Sequence, residues 1–170
     1  MKIVVGEKEY FKGIGAIRFE GKESDNPMAF RYYDAKKKVG KKTMEEHFRF
    51  AIAYWHTFCG TGGDPFGGGT KNFPWLARPD AVQRARDKMD AAFEFITKIG
   101  APFYCFHDYD IIDEAATLKE SEKRLEAIVD YARQKQRRLK LKLILLKQGS
   151  PWHVNAAYGR TIMHRRAMTT

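Results

Sequence analysis

Apolar positions along the chain follow two rhythms, and the change from one to the other recurs. Phe48 to Trp55 (FRFAIAYW) is rich in aromatic and aliphatic residues and runs toward Gly60, which reads as a buried strand. Just before it, Thr43-Met44-Glu45-Glu46 fits a capping box and predicts a short helix. From Pro79 to Ile99 the rhythm becomes helical. Pro79 suits the first helical position, Asp80 suits the positive end of the helix dipole, and Gly100 suits the residue past its end. Val82, Met89, Phe93 and Ile96 then share one face. Pro102 to His107 (PFYCFH) is a second strand-like run that breaks at Asp108. Thr117-Leu118-Lys119-Glu120 is another capping box, followed by a stripe of Leu118, Leu125, Ile128, Val129 and Ala132.

Strand, loop, helix therefore occurs twice in succession, the pattern of a parallel sheet with helices outside it. Leu139 to Leu146 offers a third strand, but its lysines alternate with leucines, which suits one wet face. Residues 1–42 are polar, rich in Gly and Lys, and contain a Ser24-Asp25-Asn26-Pro27 turn signal, so they read as an arm ahead of the main fold. The Gly60–Pro79 stretch is a long Gly/Pro loop, and loops of that length in a compact domain are often functional. No internal repeat is evident.

Composition supports a packed core. Hydrophobic residues make up 44% and aromatics 14% of 170 residues, which argues against disorder. The net charge of +10 suggests an acidic partner until its distribution is read. Residues 1–136 hold 23 Lys and Arg against 21 Asp and Glu, a balance of +2; residues 137–170 hold the other 8 bases and no acid. The basicity belongs to the tail. The two cysteines, Cys59 and Cys105, make no disulfide framework and favour a reducing compartment. The opening apolar run is too short for a signal peptide, and no stretch reaches the roughly 20 apolar residues of a membrane span. The expected location is cytoplasmic.

In parallel α/β folds, ligands meet the carboxyl ends of strands. Two such places stand out: Trp55-His56 with the glycine loop, and His107-Asp108-Tyr109-Asp110. A histidine at a strand end can relay protons near neutral pH, and Asp110 could turn back to fix its tautomer and stabilise its charged form. A turn histidine among surface acids has the same spacing. Trp55 could wall a sugar face or simply fill the core. Asp64-Pro65-Phe66-Gly67 could carry Phe66 across a subunit interface or be a plain turn. His56, Cys59, Cys105 and His107 lack zinc-site spacing, and the glycine loop lacks a P-loop ending.

Five collinear segments together resemble xylose isomerase, of the longer class with an amino-terminal extension. They are YFKGIGAIRFEGKESDNPMAFRYYD from Tyr10, FAIAYWHTFCGTGGDPFG at 50–67, NFPW at 72–75, AAFEFITKIGAPFYCFHDYD at 91–110 and EKRLEAIVDYARQKQ at 122–136. The resemblance implies a (β/α)8 TIM barrel, here incomplete: an arm (1–42), the first two to three βα units (43–136) and a basic tail (137–170). A complete barrel usually needs roughly 250 residues. It also implies interconversion of D-xylose and D-xylulose by ring opening and a metal-assisted hydride shift. Two divalent cations (Mg, Mn or Co), a pentose or hexose substrate and a homotetramer come with it.

Within that resemblance His107 matches the histidine that contacts the sugar ring oxygen, and Asp110 the aspartate that orients it. Trp55 matches the tryptophan lining the sugar site, and Phe66 the loop phenylalanine that reaches a neighbour's site. The family's metal ligands and catalytic lysine come from later strands, so no metal ligand is expected in this chain. After Gln136 the likeness and all acids stop together, which points to a frameshift or fusion join. The fragment is then expected to be inactive alone, and membranes and nucleic acids are not its expected partners. The alternative is a non-catalytic module whose basic tail binds nucleic acid or acidic surfaces.

Overall fold

The computed structural model describes residues 2–147, so most of the basic tail lies outside the described residues. The frame is a three-stranded parallel sheet of β3 (Ala51–Ala53), β4 (Phe103–His107) and β5 (Lys142–Lys147). β1 (Lys38–Val39) and β2 (Lys42–Thr43) form a small antiparallel ribbon in the arm. Among the described residues the α-helices are α1 (Met44–His47), α2 (Ala81–Ile99), α3 (Asp108–Ile111) and α4 (Leu118–Leu139).

The two long helices form where the sequence predicts, with one shift at the start of α2. Asp80 itself is the N-cap, its carboxylate accepting the Gln83 amide at 2.6 Å, and Pro79 sits one residue outside. The side-chain cap fixes the boundary because it satisfies an amide donor left over at the helix end. Gly100 ends α2 in the left-handed region at φ 76°, and Lys140 ends α4 the same way at φ 57°. Thr43 and Glu46 form the expected capping box ahead of α1, and Thr117 caps α4 through the Glu120 amide. Met89, Phe93 and Ile96 of α2 are buried, as are Ile128, Val129 and Ala132 of α4. Leu118, at the exposed start of its stripe, is not.

The Phe48–Trp55 strand is shorter than the sequence predicts. Only Ala51–Ala53 pairs, with Phe103, Tyr104 and Cys105, while Phe48 and Phe50 remain about half exposed. A strand extends only as far as a neighbour supplies its ladder, and β4 begins at Phe103. Beyond Tyr54 the chain closes into a π-type turn, Trp55–Cys59. Such turns are rare and gather at functional sites.

Strand order in the sheet follows chain order, and α2 packs against α4, so both crossover helices lie on one side of the sheet. Between them and the sheet sits the core of Phe93, Ile96, Tyr104, Phe106 and Ile128. The arm clamps onto the outside of the helices. Val5 is buried, its carbonyl accepting Lys135 and Arg138, and the Tyr10 and Phe11 amides donate to the fully buried Glu94 carboxylate. α4 continues through Leu139 and β5 follows in parallel register with β4, so the helix and the sheet both run across the change in composition at residue 136.

Candidate functional site

Pairing of β3 with β4 in parallel sets their carboxyl ends side by side, Ala53 opposite Cys105. β3 leads at once into the turn that starts with Trp55, and β4 ends on His107. The two rings meet with centroids 4.5 Å apart and planes inclined at 50°. Beneath them Tyr54 is buried and packs against Phe58 and Phe106, a rigid floor for the turn.

Asp110 is held by the single turn of α3. Its Oδ2 accepts the His107 backbone amide at 2.6 Å and faces His107 Nδ1 at 3.0 Å. A carboxylate in that position selects the tautomer with hydrogen on Nδ1, so acid–base chemistry falls to Nε2. The His107 side chain keeps 25% of its surface exposed and that of Asp110 11%, a pair open on one side and braced on the other.

Sequence reasoning missed two braces. The Cys59 thiol donates to the Asp110 carbonyl at 3.4 Å, tying the turn that bears Trp55 to the helix that bears Asp110. Lys88 of α2 approaches the same sulfur at 3.8 Å. Burial pushes the Cys59 thiol up to about 11, with Lys88 opposing the shift, so the residue is a protonated donor at neutral pH. Spacing gave no hint, because Cys59 and Asp110 lie 51 positions apart and meet only through the turn that follows β3.

Phe66 stands apart. It is 97% exposed at the tip of the glycine loop, where Asp64 and Gly67 bond across the turn and the Asp64 carboxylate accepts the Phe66 amide at 2.8 Å. Thr61 closes the loop base, its carbonyl accepting the Thr70 and Lys71 amides. The fold thus joins Trp55, His107 and Asp110 and holds Phe66 outward. Among the described residues no three His, Cys, Asp or Glu side chains gather as a metal centre requires. No described helix is long and apolar enough to cross a membrane.

No protein-family model matches the chain. Comparison with curated proteins gives a direct likeness instead. The protein named xylose isomerase from Phocaeicola vulgatus is 58% identical over 137 residues, covering 81% of this chain and 31% of that protein. Its namesake from Bacteroides thetaiotaomicron is 57% identical over the same length. Both of these relatives are named xylose isomerase. A third, xylose isomerase 1 from Xanthomonas axonopodis pv. citri, is 56% identical over 140 residues, covering 82% of this chain and 32% of its own. The chain thus spans about a third of the length of the xylose isomerases it matches, as an amino-terminal segment would.

Proposed function

We propose that this chain is the amino-terminal part of an aldose–ketose isomerase that interconverts D-xylose and D-xylulose. One observation carries the reading: Trp55, His107 and Asp110 come together at the carboxyl ends of adjacent parallel strands. Ring opening needs a proton relay at the sugar ring oxygen. His107 Nε2 is the atom suited to it, with Asp110 fixing the ring through Nδ1. Trp55 offers an apolar face to the C–H side of a sugar. Phe66, exposed on a tight turn at a loop tip, is the residue that enters a neighbouring subunit's site in the proposed homotetramer. The sequential strand order with both helices on one side supports the opening βα units of a TIM barrel.

Two divalent cations belong to this chemistry by resemblance, and they polarise the sugar oxygens during the hydride shift. The described residues do not fit them, since no ligand cluster is present among those residues and the basic tail contains no acid. The described chain therefore contributes the ring-opening wall, and the 170-residue polypeptide alone is expected to form no xylulose at a family-like rate even with added magnesium. Residues 137–170 are taken as a frameshifted or fused segment. Translating the other frames beyond codon 136 tests this, and failure of both to restore the family pattern would overturn it. A reading of the tail as a nucleic-acid contact rests on its 8 bases and no acids. Salt-sensitive DNA retention that vanishes on deleting 137–170 would favour it.

The decisive experiment joins residues 1–136 to the remainder of a relative 58% identical to this chain. The chimera should convert xylose with magnesium, and His107→Asn should lower kcat by about 100-fold or more. An active chimera unaffected by that change sinks the assignment of His107.

A further inference from the structure

We infer that Arg84 is a positioning residue for the His107–Asp110 pair; this rests on the reading of that pair as the ring-opening wall. Arg84 lies in the first turns of α2, close to the positive end of the helix dipole, where a cation is electrostatically misplaced. Its contacts supply a different reason for a guanidinium there. Nε and Nη2 both donate to Asp113 Oδ2, at 3.1 and 2.7 Å, and Nη1 donates to the Arg78 carbonyl at 2.6 Å.

Those partners close the two segments that bear the site. Arg78 ends the long connection that begins at Gly60 and carries Phe66. Asp113 follows α3, two residues beyond Ile111, and Ile111 and Ile112 are buried. The start of the first segment is already joined to the middle of α3 by the Cys59 thiol on the Asp110 carbonyl. One planar cation thus ties the far ends together. A four-residue helix has too few internal bonds to hold its own position, so Asp110 depends on what anchors α3 at each end. β4 fixes the near end at His107, and Arg84 fixes the far end through Asp113. The fork of three donors in one plane makes this an arginine's role; a lysine ammonium offers no such geometry.

The test uses the 170-residue chain and two variants, Arg84→Lys and Asp113→Ala. The Asp113 side chain is 57% exposed, so its loss leaves the core intact. The readouts are hydrogen exchange of the His107 amide, which bonds to Asp110, and the nitrogen-15 signature of the imidazole tautomer. Both variants should speed His107 exchange by about tenfold and weaken the Nδ1–H signature, while the Phe93 and Ile128 amides stay within about twofold. An unchanged His107, or equal acceleration at Phe93 and Ile128, overturns the assignment. Neither readout needs sugar. An inactive chimera without these changes overturns the isomerase reading alone; an active one, with His107 exchange unmoved in the two variants, overturns the role of Arg84 alone.

Discussion

Glu94 offers the sharpest test of how the arm is bound. Its side chain is fully buried on α2, and its carboxylate accepts the Tyr10 amide at 2.9 Å, the Phe11 amide at 2.9 Å and Lys98 Nζ at 2.8 Å. Lys98, with only 3% of its side chain exposed, also donates to Glu9 at 3.0 Å and to the Phe11 carbonyl at 2.7 Å. Glu94→Ala leaves two backbone donors without their acceptor, a cost of about 1–3 kcal/mol for each that stays dry. It also removes one of two carboxylates from a buried ammonium, which by itself belongs below the roughly 3–5 kcal/mol of a fully broken buried pair, because Glu9 remains. Part of the arm can rehydrate, so the expected net loss is about 3 kcal/mol, a large share of the roughly 5–15 kcal/mol that holds a domain folded. Urea unfolding followed by tryptophan fluorescence would read it as a lower midpoint at unchanged slope. A loss under about 1 kcal/mol for Glu94→Ala would refute the idea that this carboxylate pins the arm.

The remaining expectations concern the same packing. Burial pulls the Lys98 ammonium down, but its bonds to Glu94 and Glu9 outweigh that and raise it; burial raises the hydroxyls of Tyr10, Tyr54, Tyr104 and Tyr131. Each then holds its proton more tightly folded than unfolded, so stability is full below the unfolded values near about 10 and falls as pH rises past them. Chemical denaturation from pH 8 to 11 should show that decline, and a flat profile would contradict it. Gly6→Ala would drive its new methyl into the Asp90 carboxylate, which Tyr131 and Lys135 already hold in place. A loss of about 1–3 kcal/mol in urea unfolding is expected, and none would mean that the arm shifts freely. Cys59, with its thiol raised to about 11, should react with iodoacetamide at pH 7.5 about 100-fold more slowly than an unhindered cysteine. Rapid labelling in native buffer would show that the Cys59–Asp110 contact is not maintained.

Local rules written into the chain were enough for its two long helices and for the start of α1. Asp80, Thr43 and Thr117 announce helix starts because a short side-chain oxygen satisfies the first free amides, and Gly100 announces an end because it enters the left-handed region without cost. Apolar spacing marked the buried faces of α2 and α4, and the break at Asp108 marked the end of β4 at His107. The distance between Trp55 and His107 could not be read this way, for 52 positions separate them and only the β3–β4 register brings their rings together. The same holds for the turn at Trp55–Cys59, which follows where pairing with β4 stops at Ala53. Periodicity and capping act over a few residues, within reach of any single stretch of sequence. Pairing register, the Cys59–Asp110 contact and the grip of Arg84 on Asp113 depend on segments that meet only when the sheet forms, so tertiary structure alone decided how the site is put together.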